Sequence, residues 1–167
     1  MPVTPFHFGV GATLHAVAPR HVSFLSFCLA NVLIDLESLY NLVHGNYPVH
    51  AFLHTYLGAT LIIPATLLLF LAARWFARKF WLPNTLAWQA LNARQVLIGA
   101  VLGAYSHILL DSIMHGDMEP MSPFSAANPL LETISLLELH LLCVALAVFG
   151  VAVVGMRRIH AEEDKAR

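Results

Sequence analysis

Apolar residues run almost unbroken through four stretches of the chain, at about positions 22–42, 50–73, 95–114 and 134–156. Each approaches the roughly 20 residues that a helix needs to cross a bilayer. A shorter apolar stretch, 5–18, precedes them and is cut off from the first by Pro19-Arg20. Thr4 and Pro5 suit a helix start, as cap and first-turn residue. The stretch is too short to span comfortably, so it predicts a partial or re-entrant helix buried against the bundle. The segment 75–94 carries Trp75, Trp81 and Trp88 and reads as an interfacial connection. The segment 115–133 is rich in Pro, Ser, Asn and Gly and is therefore a loop, serving as a lid or as a plain connector. The pattern as a whole predicts an all-α, polytopic membrane bundle of four spans plus the short N-terminal helix. A single domain covers 1–156, and a charged, solvated and frayed tail covers 157–167.

Polar residues interrupt this pattern at particular places. In "GAYSHILLDSIMHGD", His107, Asp111 and His115 recur every four residues, which puts them on nearly one face of a helix. Imidazole and carboxylate facing hydrocarbon would be costly, so the stripe must face a bundle interior, a cavity or an ion. "VHAFLHT" repeats the spacing with His50 and His54 at the start of the second span. "NVLIDLES" places Asp35 late in the first span, with Glu37 two residues on and so on a different helix face. With alternating spans, these groups reach the same end of the bundle from three helices, and His7 joins them if the short helix packs there. Imidazole and carboxylate without thiolate suit zinc first, then manganese or iron, and argue against a closed structural zinc site. Isolated histidines have a plainer use as glue between helices or at the interface, which is the reading for His15, His44 and His140. His21 and His160 lie beside the basic ends. Asp117, Glu119 and Glu132 read as solvated loop groups, and Glu138 as a partner of a ligand histidine, of His140 or of water.

Composition and charge sharpen this picture. Hydrophobic residues make up 58% and charged residues 11% of the 167, against about 45–50% and 25% in ordinary soluble domains. The net charge of −1 leaves no electrostatic case for nucleic acid. Arg20, Arg74, Arg78, Lys79, Arg94, Arg157, Arg158, Lys165 and Arg167 all fall on one side of a four-span topology. Segments 43–49 and 115–133 hold no lysine or arginine, so the positive-inside rule makes the basic side, with the C-terminus, cytoplasmic. The polar cluster then lies in the outer half of the bilayer. The start of the chain has no basic leader before its apolar stretch and reads as mature sequence rather than a signal peptide. Cys28 and Cys143 sit in apolar runs as packing residues rather than a disulfide.

"TPFHFGVGA", "NVLIDLES", "HAFLHTYLGA", "GAYSHILLDSIMHG" and "MSPFS" follow the order and spacing of a bacterial family that these motifs resemble, the inner-membrane-associated, LexA-binding metal-dependent hydrolases. The resemblance covers about residues 4–125. It implies a multi-pass protein of the bacterial inner membrane whose metal-site group is His7, Asp35, Glu37, His54, His107 and Asp111. The chain departs from the family where Leu33-Ile34-Asp35-Leu36-Glu37-Ser38 replaces a Leu-Pro-Asp-Ile-Asp-His pattern. It also carries Ala51 after His50, where many members have an arginine suited to phosphate or carboxylate.

The function expected is a membrane-bound, metal-dependent hydrolase. His7, Asp35, His50, His54, His107 and Asp111 supply the ligands, and Asp35 or Glu37 acts as general base. One or two divalent ions held there would lower the pKa of a bound water toward about 7. The depth of the site suggests a lipid or lipid-linked ester or phosphoester as substrate. Transfer of protons or metal ions is the alternative, although a path needs polar groups at successive depths and the inner halves of the spans have few. Haem held between His54 and His107 is disfavoured by the carboxylates alongside, and a non-catalytic scaffold has no docking motif to support it.

Overall fold

The computed structural model describes residues 4–166. Five helices follow in order: α1 (Thr4–Val17), α2 (Phe24–His44), α3 (Tyr56–Phe80), α4 (Ala93–Met114) and α5 (Leu136–Ala166). Short 3-10 turns at Phe52–His54 and Thr85–Ala90 precede α3 and α4. The last four helices are each long and apolar enough to cross a membrane, which marks a membrane protein built as a helical bundle.

Side-chain caps set where these helices begin. Ser23 accepts the amide of Ser26 at 3.2 Å, and Thr55 accepts that of Gly58 at 2.9 Å. Asn92 and Gln95 bond reciprocally at 2.9 and 3.0 Å, a capping box at the head of α4. Ser135 and Glu138 do the same ahead of α5, at 2.9 and 3.3 Å. Each cap satisfies amides that no preceding turn can reach. Glu138 is thus a capping residue at an exposed position, not a partner of a ligand histidine.

Two boundaries differ from the sequence-based expectation. The second span begins at Tyr56 rather than near His50, because Thr55 caps it there. His50 and His54 consequently lie in a loop and a 3-10 turn, not on one helix face. The charged segment after Met156 is helical: α5 continues through it to Ala166, with residues 156–164 exposed.

α2 and α4 run parallel, with the Ser23 amide bonded to the Gln95 carbonyl at one end and Asp35 meeting His107 further along. α3 is antiparallel to both; its start faces Tyr105 through Thr60, and Arg74 near its end reaches the Leu91 carbonyl. The seam of α2 and α4 is close because α4 presents glycine there. A Cβ on Gly103 would lie 2.5 Å from the Phe27 carbonyl oxygen. Ala30, Ile34, Ile62, Ile63, Ala104 and Ile108 fill the core between the three helices. α1 packs chiefly on α5, where Gly9 stands against the Cys143 carbonyl and Arg157 bonds the Ala16 carbonyl. It is a single continuous helix that returns into α2, so α1 and α2 form a hairpin with no turn inside α1. The start of α1, the ends of α2 and α4, and the starts of α3 and α5 therefore meet at one end. Arg20, Arg74, Arg94 and Arg157 lie at the other.

Candidate metal centre

At the arginine-free end, ligand atoms of Asp35, His54, His107 and Asp111 all come within 4.8 Å of one another, and all four residues are buried. α2 supplies Asp35, the 3-10 turn before α3 supplies His54, and α4 supplies His107 and Asp111 one turn apart. His107 Nε2 stands 3.1 Å from Asp111 Oδ2 and 3.4 Å from Asp35 Oδ1. His54 Nε2 stands 3.6 Å from the same Asp35 oxygen and 3.7 Å from Asp111 Oδ2.

The surrounding hydrogen bonds decide what His107 offers. Asn31 uses its amide nitrogen to donate to the carbonyls of Phe27 at 2.8 Å and Gly103 at 3.3 Å. Its Oδ1 is therefore an acceptor, and His107 Nδ1, 2.9 Å away, carries the proton that it receives. Neutral His107 then presents a bare lone pair at Nε2 to two carboxylates. His7 Nδ1 lies 3.1 Å from the same His107 Nδ1 and must accept, which leaves the proton on His7 Nε2, 3.2 Å from Asp111 Oδ1. Among the described residues, His107 Nε2 and Asp111 Oδ2 are buried without a hydrogen-bond partner. Acceptors converging in this way repel one another unless positive charge lies between them, from a divalent ion or from protons on the imidazoles. The donor set, two imidazoles and two carboxylates from three elements, fits a divalent metal ion.

A further ring of residues holds these groups in place. Glu37 Oε2 accepts the Leu53 amide at 2.7 Å and lies 3.7 Å from His54 Nδ1. Ser38 Oγ stands 3.3 Å from His54 Nε2 and is fully buried. Burial by itself would lower the pKa of His54, but the Asp35 and Glu37 carboxylates outweigh it and hold the value above that of free imidazole.

His50 falls outside the first group and joins a second one with Asp111 and His115, again within 4.8 Å. His115 follows α4 as its cap, and its ring stacks on that of His50 with centroids 3.9 Å apart. Asp117 is no solvated loop residue. It accepts the Val49 amide at 2.9 Å, the His50 amide at 3.1 Å and His50 Nδ1 at 2.8 Å. Burial raises the Asp117 pKa, but these donors prevail and keep it below the usual carboxylate value. Burial holds His50 below the ordinary histidine value. Burial and then the neighbouring His50 push His115 down to about 4.

Three histidines outside these groups make local contacts. His15 donates to the Val22 carbonyl at 2.7 Å, His44 to that of Tyr40 at 2.8 Å, and His140 packs on Phe6. Sequence reasoning passed over Asn31, Ser38 and the role of Asp117. The first two carry a readable signal: Asn31 lies four residues before Asp35 and Ser38 three after it, on the same face of α2.

Scanned against protein-family models, curated proteins and solved structures, the chain gives no match.

Proposed function

We propose that the chain is a membrane-bound, metal-dependent hydrolase in which Asp35, His54, His107 and Asp111 hold a divalent cation, zinc before manganese or iron. The observation that carries the reading is the meeting of these four buried side chains, with His107 Nε2 directed at two carboxylates. A divalent cation held by these residues would supply the Lewis acidity that hydrolysis of an ester needs. Asn31 fixes the tautomer and ring plane of His107, in the manner of outer partners of metal-bound histidine. His7 steadies Asp111 through its Nε2 proton instead of serving as a ligand. Glu37, half-buried beside His54, holds the 3-10 turn through the Leu53 amide and has its second oxygen left to receive a proton from water.

The basic end of the bundle supports a cytoplasmic C-terminus and a site in the outer leaflet. The motif resemblance supports the bacterial inner membrane as the location. Beside His50 and Asp117, a cavity of about 360 Å³ opens between the 48–57 and 117–123 segments, with Pro48, Phe52, Leu57 and Pro123 among its apolar walls. Apolar walls next to a polar centre suit a lipid or lipid-linked ester or phosphoester. An ion path through the bundle has less support. Beyond the cluster the buried residues of α2, α3 and α4 are chiefly apolar, and the Ser26 and Thr66 hydroxyls are bonded to their own helices.

Elemental analysis of the detergent-purified chain beside a His54, His107, Asp111 triple-alanine variant tests this. Stoichiometric metal in the wild type alone supports the site and justifies screening lipid esters. Absence of metal from both, after reconstitution with zinc, manganese and iron, removes the hydrolase reading.

A further inference from the structure

We infer that His50, His115 and Asp111 form a second divalent-cation site, so that the Asp111 carboxylate serves two neighbouring ions and the centre is dinuclear. The inference rests on the first site proposed above and extends it.

The second group is built from different elements: the loop after α2, the C-terminal end of α4 and the residue that caps it. Its geometry is that of a ligand set. Asp117 is fixed as an acceptor by two backbone amides and takes the Nδ1 proton of His50 at 2.8 Å. Neutral His50 therefore has a lone pair at Nε2. Carboxylate–histidine pairs of this kind orient imidazoles toward metals. His50 is more than nine-tenths buried, and its Nε2 has no hydrogen-bond partner among the described residues. His115 Nε2 is buried and without a partner in the same way, and so is Asp111 Oδ2. The two rings stack at 3.9 Å with 25° between their planes, so nearly parallel imidazoles converge on one carboxylate. A cation resolves that arrangement.

Three protein ligands leave coordination positions open, and the cavity walled by His50 and Asp117 lies beside them. No lysine or arginine occurs in 43–54 or 115–135, the segments at this end of the bundle. An anionic ester entering the cavity would meet no basic side chain, and a second cation supplies the missing positive charge. Paired ions in hydrolytic sites bracket the attacking and leaving oxygens of a phosphoester. The substrate class the double site favours is accordingly a phosphoester carried on an apolar chain.

The test is metal stoichiometry in the full-length, detergent-purified chain loaded with manganese, read by elemental analysis and by electron paramagnetic resonance. The wild type should hold two ions per chain with an exchange-coupled signal. His115→Ala should hold one, with the signal of an isolated ion. His50→Ala serves as the second variant should His115→Ala fail to fold, with circular dichroism as the check. Asp117→Ala should weaken the second ion alone by about 10–100-fold. One ion in the wild type, unchanged by His115→Ala, overturns the second site and leaves the first standing. Two ions retained in both variants places the second ion elsewhere and also overturns it. A single ion that His115→Ala removes overturns the pairing as well. No ion in any form defeats the first site too, so the two failures are distinguishable.

Discussion

His107 donates its Nδ1 proton to Asn31 Oδ1 at 2.9 Å, across 76 positions of sequence, and that one bond sets which face of the imidazole is bare. Asn31 can accept only because both of its amide hydrogens are taken by carbonyls of α2 and α4. Removing the bond frees the ring to rotate and leaves two carbonyls without a side-chain donor. Asn31→Ala should therefore weaken metal binding about 10–100-fold without removing any ligand. Competition titration against a chelating dye measures this, and unchanged affinity would sink the tautomer argument.

Glu37 touches His54 without belonging to the four-residue group. Glu37→Gln keeps an oxygen for the Leu53 amide but loses the charge that accepts a proton. Metal content should stay at the wild-type level while hydrolysis of a lipid ester falls about 100-fold or more. Loss of metal along with activity would make Glu37 a ligand.

The seam between α2 and α4 tolerates no side chain at Gly103. Gly103→Val should spread the helices, separate Asp35 from His107 and cost about 1–3 kcal/mol or more. Gly155→Val is the matched control, since nothing lies within 4 Å of its added Cβ. Thermal melts and metal content of the two variants should diverge; equal behaviour would show that close approach at Gly103 is unimportant.

Chelation should destabilise the folded chain. A ligand at a hundredfold its Kd contributes about 2.7 kcal/mol, and its removal should lower Tm by roughly 5–10 °C. The triple-alanine variant should show no such response to chelator.

The metal-free chain should lose stability as the pH falls from about 6.5. Buried beside His50, His115 is held at about 4 in the folded state. Between pH 6.5 and 4 the unfolded chain therefore binds a proton that the folded chain does not, which favours unfolding. Asp117, held low by His50, adds a loss of the same sign as the pH falls through the carboxylate range. Melting temperature against pH should slope upward from 4 to 6.5, and His115→Ala should flatten it. A wild-type profile that is level over this range would contradict the burial of His115.

Helix number and the stripe on α4 were legible in the sequence, because hydrophobic length and four-residue spacing are local properties of a chain. Asp35, His107 and Asp111 could be named for the same reason: ionisable groups inside apolar runs have few other uses. The second span shows where this reasoning stops. His50 and His54 have helical spacing, but the Thr55 cap starts the helix after them, and the loop sends one histidine to each group. Asp117 looked like an ordinary loop carboxylate, since nothing nearby in sequence marks its bonds to Val49 and His50, 68 and 67 positions away.

By itself the sequence determined a membrane bundle and a polar cluster at one end of it, through the cost of placing charge in hydrocarbon and the bias of basic residues between spans. The tertiary structure decided the division of that cluster into two groups joined at Asp111, and the Asn31 bond that sets the orientation of His107. Those outcomes depend on distances between helices set by packing at Gly103 and on hydrogen bonds between residues remote in sequence. Neither is written in the spacing along any one helix.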